Sequence, residues 1–511
     1  MKRLVVTMLA LTLALTGLGA PQASAESTPQ WRSYWVDAFN PGIYNADQVS
    51  KLVDDALDVD ANVLLVQTVR RFDCFCNEAN YPRTGAFIAP EPFDPLAEIV
   101  EQAHEAGLQV HAWVNVNTLW NSATAPADPT HAYNTHGFTA EGADRWLNKR
   151  VDGVEKVGNN SFVDPANPAV VEYIVDGIRS IQEHYDVDGI NLDYVRYPDY
   201  NVTDGGTFVN DWGYSDVSLA RFQQATGRTD VPAPTDEQFS DWRRDQVSSL
   251  VRKIYTTMYD TDPADRLSIN GITYAYGPSH YGSWEGTRPY SNVMQDWYGW
   301  VTEGIIDTIT AMNYKREWMD DQAAMFDTWN QFLAQVQDET GRTMVSGPGL
   351  YLNDIDSSVQ QAKDVVGYGL GWSGYSYANV SLDATASTSQ AVKDAERDAL
   401  AARLTEEVFT EQASVPEMTW KTQATDGIIA GQFLLDGESV DQAQLTITNL
   451  ADESTRTVVT DGTGWFASLK LEPGRYKVSL SDPSTARGVR PQLVTVTAGD
   501  IADVELVGRA K

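Results

Sequence analysis

Apolar positions along this chain recur with two periods, and the two alternate. In "NADQVSKLVDDAL", residues 45–57, the residues Val49, Leu52, Val53, Ala56 and Leu57 recur at helical spacing behind Asn45, a capping residue type with Gln48 three positions on. This segment lies between "SYWVDA" and "NVLLVQT", two runs of aromatic and β-branched residues that suit strands. The alternation then continues through the helix "PLAEIVEQAHEAG", the strand "LQVHAWV", the helix "AVVEYIVDGIRSIQEHY" and the strand "GINLD". Further on, "QVSSLVRKIYTTM", "QDWYGWVTEG", residues 319–340, "SSVQQAKDVVGY" and "SQAVKDAERDALAARLTEEVF" read as helices, interleaved with the strands "LSINGI", "DTITAMNY", "MVSGPGLYL" and "LGWSGYSY". Eight strands and eight helices in alternation predict a closed (β/α)8 TIM barrel of the α/β class rather than an open doubly wound sheet. No Gly-rich phosphate loop follows the first strand, which weighs further against the open sheet. The long stretches 115–168 and 198–236 are then expected to be loops at the C-terminal rim, the end that carries the site in this architecture.

Past residue 410 the pattern changes. A polar stretch, 410–425, reads as a linker, and residues 426–511 follow as short strands separated by turn signals, a small all-β sandwich. The barrel is expected to span 26–409. Residues 1–25, ahead of it, open with Lys2 and Arg3, continue as an apolar run and close on Ala23-Ser24-Ala25, which reads as a secretory signal peptide. That apolar run is shorter than the roughly 20 residues a spanning helix needs, and no comparable run follows. The mature protein is therefore expected to be exported, extracellular or associated with the cell wall, with no membrane span.

The formal net charge of −34 opposes binding to polyanions, so nucleic acid is not expected as a partner. The two cysteines, Cys74 and Cys76, read either as a bridge within one bent loop or as two idle thiols. No further Cys or His lies at ligand spacing near them, so neither a metal nor another cofactor is expected.

The predicted strand ends bring a distinctive set of residues to one mouth. Strand one delivers Trp35 and Asp37; strand two, Arg70, Arg71 and Asp73; strand three, His111, Trp113 and Asn115; strand four, Asp193 with Tyr194 and Arg196 behind it. Strand six adds Asn313, Tyr314 and Glu317, and strand eight adds Trp372 and Tyr375. Sugar rings stack their C–H faces on aromatic rings while their hydroxyls hydrogen-bond to carboxylates, amides and guanidinium groups, so the assortment suits a carbohydrate. Aromatic residues away from strand ends, such as Trp146, Trp242 and Trp329, are expected in the core.

The stretches "RSYWVDAFNPG", "VRRFD", "GLQVHAWVNVN", "DGINLDYVRYP", "MQDWYGWVTEGIIDTITAMNYK" and "GWSGYSYAN" resemble, in order, motifs of the glycosyl-hydrolase-like 10 family, over roughly residues 31–409. The turns "DGTG" and "EPGRY" of the small domain resemble carboxypeptidase-regulatory-like or bacterial immunoglobulin-like modules. The barrel resemblance implies an exported enzyme that hydrolyses glycan strands, with relatives acting on peptidoglycan stripped of its peptides and a more distant relative cleaving partly deacetylated poly-glucosamine. Two departures stand out: Tyr194 follows Asp193 where many relatives have a second acid, and "DCFC" at 73–76 keeps the acid of an Asp-Ala-x-Tyr motif but loses its tyrosine. In the chitinase signature that "DGINLDYVRYP" also resembles, the general-acid glutamate would fall on Val195, which excludes that chemistry at that position.

Glycoside hydrolysis needs one carboxyl held protonated and either a second carboxylate or an acetamido group of the substrate. Asp193 is the leading acid and Glu317 the leading partner, with Asp73 and Glu285 behind it. Asp37, Arg70, Asp73, His111, Trp113, Asn115, Tyr194, Arg196, Asn313, Tyr314 and Trp372 are the expected substrate contacts. The expected function is hydrolysis of an amino-sugar polysaccharide of the cell envelope, foremost peptidoglycan lacking stem peptides. The alternative is a carbohydrate-binding barrel without turnover.

Overall fold

The computed structural model describes residues 28–85, 87–202 and 209–511; the stretch 1–25, expected as a signal peptide, lies outside them. Eight parallel strands close into a barrel: β1 (Arg32–Val36), β2 (Val63–Val69), β3 (Gln109–Asn115), β4 (Gly189–Asp193), β5 (Arg266–Ile272), β6 (Thr308–Met312), β7 (Thr343–Ser346) and β8 (Gly371–Tyr375). β8 returns to β1 in the register Arg32 with Trp372 and Trp35 with Tyr375. A principal helix follows each strand in turn: α1 (Ala46–Asp58), α2 (Pro95–Glu105), α3 (Pro168–His184), α4 (Glu237–Thr261), α5 (Trp297–Glu303), α6 (Asp320–Thr340), α7 (Ile355–Gly367) and α8 (Gln390–Glu407).

Local chemistry accounts for where the helices start. Asn45 caps α1 by accepting the Gln48 N–H, Asp94 accepts the amides of Leu96 and Ala97 at α2, and Asn167 with Pro168 opens α3. The strands are buried on both faces, as a parallel sheet between helices and a filled interior requires. Outward residues such as Tyr34, Leu64, Ile190, Leu192 and Ile309 join the helix layer in one apolar core, while Trp31, Trp35, Val63, Leu65, Trp113 and Val345 fill the barrel itself. Gly347 is needed beside this filling, because a Cβ there would lie 2.3 Å from the Trp35 ring.

The long rim loops carry structure of their own. After β3, the segments Thr118–Trp120, Lys156–Val157 and Asn160–Phe162 form a small antiparallel sheet, and after β4 comes a helix over Asp216–Thr226. Cys74 and Cys76 are joined in a disulfide within the loop after β2.

The segment expected as a polar linker is bound to the opposite, N-terminal end of the barrel. Its carbonyls at Glu411, Ala413 and Pro416 accept hydrogen bonds from Arg32, Asn62 and Arg266, and Val415 packs against the interior tryptophan cluster. Trp420 Nε1 donates to Asp307 at 2.7 Å and Lys421 Nζ lies 2.8 Å from the same carboxylate. Asp307 is fully buried and also receives Arg342 at 2.9 Å and the Leu267 amide. Burial opposes its ionisation, yet Lys421 and Arg342 outweigh that and hold the carboxyl below its usual range.

The C-terminal sandwich packs two four-stranded sheets. It docks on the barrel's flank. Ile428, Ala430, Ala467 and Leu469 join the barrel's apolar core, Arg221 grips Asp441 with two nitrogens at 2.7 Å, and Lys470 Nζ donates to Thr302 O at 2.6 Å.

The Asp307 cluster yields a stability prediction. A carboxyl whose pKa falls on folding adds stability above its unfolded value, about 3.9, and loses it as pH falls through the folded value. Lys421→Met should therefore lower stability by about 2 kcal/mol at pH 7, with Arg342 still limiting the damage, and the difference from wild type should narrow below about pH 4. Denaturant unfolding of both proteins at several pH values measures this; a deficit that does not change with pH contradicts the electrostatic account.

Candidate active site

A cavity of about 560 Å3 opens at the C-terminal mouth, and Asp193, the last residue of β4, lies in its wall. The strand period explains why it points inward. Gly189, Asn191 and Asp193 share the interior face, and Asn191 sits one step below, donating to Ser268 and Thr310 hydroxyls. Asp193 is 5% exposed. Burial pushes its carboxyl above the usual range, and Arg196, the Tyr194 N–H and the side chains of Asn270 and Trp113 only partly offset the shift. The Tyr194 N–H donates to Asp193 Oδ1 at 2.7 Å from a left-handed backbone, φ 51°, a costly conformation for a tyrosine.

Five other expected residues line the same cavity. Trp113 Nε1 donates to Asn115 Oδ1 at 3.0 Å, and Asn115 Nδ2 donates to Arg70 O, which sets both side chains in place. Arg196 lies under the Tyr194 ring, 4.6 Å from its centroid, with Asp199 3.8 Å from Nη1. Tyr314 stacks on Tyr375 with ring centroids 4.9 Å apart, and both stand edge-on to Trp35 beneath. Tyr375, Gln67, Phe162, Tyr274 and Lys315 complete the parts of the wall that matter chemically.

Three expected contacts stand behind the wall instead. Asp37 accepts from the Phe39 amide and Asn40, Arg70 Nη1 donates to Ala38 O with its guanidinium over the Phe39 ring, and Asp73 accepts from Thr84. Together they shape the loops after β1 and β2, and Phe39 is the part that reaches the cavity.

Four expectations are corrected by position. Trp372 points outward from β8 into the helix layer, fully buried, edge-on to Tyr34 and Phe409. His111 does point inward, but near the barrel's lower end against Trp31, where burial and Arg266 depress its pKa to about 3. Asn313 is fully buried and donates to Phe326 O and Asn330 of α6, tying helix to barrel. Glu317 lies outside the cavity, its amide donating to Asn353 and its carboxyl beside Gln361 and Asp364 of α7. Glu285 is also exposed away from the cavity.

Strand parity held a signal for the first correction, since 372 and 375 cannot both face inward on one strand. Lys315 was the residue that sequence reasoning passed over, although it closes the quoted stretch "TITAMNYK". It is 6% exposed, donates to Thr273 O at 2.8 Å, and burial alone lowers its pKa to about 7. Among the described residues no cluster of three or more His, Cys, Asp or Glu could hold a metal ion, and no helix is long and apolar enough to cross a membrane.

A closed (β/α)8 barrel with a buried carboxyl, stacked aromatics and amide groups at its C-terminal mouth defines a glycoside-hydrolase-like protein. The chain belongs to the glycosyl hydrolase-like 10 family, whose pattern matches residues 31–365, and residues 433–507 match the carboxypeptidase regulatory-like domain. It is 26% identical to glycosyl hydrolase YngK of Bacillus subtilis over 336 residues, 61% of this chain and 60% of that protein. It is 24% identical to glycosyl hydrolase DigH of Escherichia coli K12 over 275 residues, 52% of this chain and 56% of that one. The matches thus span about six-tenths of the length of these relatives. Among solved structures, the catalytic domain of β-amylase from Paenibacillus polymyxa superimposes with a TM-score of 0.52 at 11% identity, over 74% of this chain and 100% of that one, which is a likeness of fold.

The raised pKa of Asp193 predicts a stabilising substitution. Folding destabilises the ionised form, so the penalty is present above the unfolded value of about 3.9 and absent below it. Asp193→Asn should gain on the order of 1 kcal/mol at pH 8, and the gain should fade towards pH 4. Thermal unfolding of the variant across that range checks it; a variant less stable than wild type at pH 8 contradicts the buried-acid reading.

Proposed function

We propose that this protein is an exported glycoside hydrolase that cleaves amino-sugar glycan strands of the cell envelope, foremost peptidoglycan whose stem peptides have been removed. The observation that carries the reading is Asp193, a carboxyl biased towards its protonated form in a cavity walled by stacked tyrosines, Trp113 and amide groups. Family membership and the names of the relatives support hydrolysis of a glycosidic bond. The pattern of residues 1–25 supports export.

In the proposed mechanism the Asp193 proton passes to the glycosidic oxygen as the C1–O bond breaks. Asp321, the other carboxylate of the cavity wall, is exposed in the first turn of α6, and the expected partner Glu317 lies elsewhere. A substrate acetamido oxygen is therefore the better candidate to attack C1, after which water opens the ring so formed and returns a proton to Asp193. Tyr314 and Tyr375 offer a face for a sugar ring, and Asn115 and Gln67 offer hydrogen bonds to its hydroxyls.

Wild-type protein is expected to release reducing ends from denuded peptidoglycan glycans, and Asp193→Asn to lose at least about a thousandfold in kcat while remaining folded. Binding of the glycan by both proteins with cleavage by neither would favour the carbohydrate-binding alternative. No residue of the sandwich lines the cavity. Ending the chain after Gln423, which keeps Trp420 and Lys421 against Asp307, should leave hydrolysis of soluble oligosaccharides within about twofold of wild type. A well-folded truncated barrel with no activity on soluble glycan would instead give the sandwich a part in shaping the site.

A further inference from the structure

Hydrolysis of a neutral sugar leaves one feature of the cavity without a use. Lys315 lines it with its Nζ hydrogen-bonded to a single backbone carbonyl, that of Thr273. Among the described residues no carboxylate forms an ion pair with it. Lys253 and Lys421 are buried to a similar degree, and each has its acid: Glu172 for Lys253, and Asp307 at 2.8 Å for Lys421. A buried ammonium without a counterion is costly, and the usual outcome is a partner or a lowered pKa. Lys315 has only the second, its pKa being drawn down by burial with no charged group acting on it.

The neighbours add to the same polarity. Arg316 and Arg196 line the cavity too, and Arg196 leaves its buried Nε without a hydrogen-bond partner. The wall holds these three basic side chains against two carboxylates, Asp193 and Asp321; Asp199 stands 3.8 Å from Arg196, and Asp193 is biased towards its neutral form, so Lys315 is the buried basic group left without an acid. In a chain of net charge −34 a pocket without an excess of acidic groups stands apart. It would repel a deacetylated, cationic glucosamine and attract an acid.

We propose that Lys315 anchors a carboxylate carried by the glycan itself, as on a lactyl ether or a uronic acid, so that the site selects an anionic amino-sugar strand over a neutral or cationic one. The inference rests on the reading of this cavity as a glycan site, and it assigns Lys315 to binding rather than to bond cleavage. It also gives a physical reason for a preference for strands without stem peptides, since an amide link to a peptide consumes the lactyl charge.

The test separates binding from turnover by using the full chain carrying Asp193→Asn, with and without a change at Lys315. Calorimetry would compare tetrasaccharides of equal length: alternating N-acetylglucosamine and N-acetylmuramic acid, the same compound with its carboxyls converted to amides, alternating N-acetylglucosamine and glucuronic acid, and chitotetraose. The carboxylate-bearing lactyl compound is expected to bind about tenfold or more tightly than its amide and than chitotetraose. Lys315→Met should remove that advantage and Lys315→Arg should keep most of it, with near-ultraviolet circular dichroism confirming that both variants are folded. Tight binding of the glucuronic acid compound alone would retain the anchor and assign the charge to a uronate. Equal affinity for all four compounds, discrimination that persists in Lys315→Met, or no measurable binding of any of them would overturn the proposal. Release of reducing ends by the wild type decides the hydrolytic reading separately.

Discussion

Closure of eight parallel strands into a barrel is the constraint on which the other features of this molecule depend. A closed sheet has no edge, and alternate residues of every strand must fill a space that neither helices nor solvent enter. Near the bottom the space is filled by Trp31, His111 and Arg266; in the middle by Ser33, Asn191, Ser268 and Thr310 together with Trp35. Most polar atoms there find partners among themselves, as when Asn270 Oδ1 receives both Trp35 Nε1 and the Thr310 hydroxyl, while Asn191 Oδ1 and His111 Nδ1 are left without one. At the top the filling stops, and the next inward residue of β4, Asp193, meets a cavity.

The two ends of the barrel are finished in opposite ways, and electrostatics marks the difference. Below, the segment 411–421 covers the strand starts, and Asp307 is ionised among Arg342, Lys421 and Trp420. That carboxylate is surrounded by donors and works for stability. Above, Asp193 is buried with fewer donors, so the same physics raises its pKa instead of lowering it. A carboxyl placed there weakens the fold at neutral pH and is suited to giving up a proton, the trade of stability for chemistry expected of a site. The left-handed backbone at Tyr194 adds a second cost at the same point, which the rigid strand beneath can sustain.

Much was legible in the sequence because it depends on neighbours along the chain. The alternation of helical and strand periods gave the element order, the caps at Asn45, Asp94 and Asn167 follow from side chains a few residues away, and "GINLD" ends on its acid as the observed β4 does. Parallel strands joined by helices bring all the C-terminal strand ends to one mouth, so the sequence alone groups Asp193, Trp113, Asn115, Tyr194, Arg196 and Tyr314.

What only the tertiary structure decided is height, facing and long-range partnership. His111 and Asn115 share a strand and a face, yet strand tilt and stagger leave one near the floor and the other in the cavity wall. Trp372 and Tyr375 differ in parity, and the pairing of β8 with β1 chose the tyrosine for the interior. Glu317 and Lys315 are two residues apart, but contacts with α7 hold the first outside while the Thr273 carbonyl of the neighbouring strand end holds the second inside. The stretch 411–421 is polar enough to read as a tether, and only the buried Asp307, about a hundred residues away in the chain, makes it part of the barrel. Local periodicity thus determined which elements form and in what order, whereas the direction of each loop side chain and the charge it meets are set by groups brought together through barrel closure, at separations a sequence window does not span.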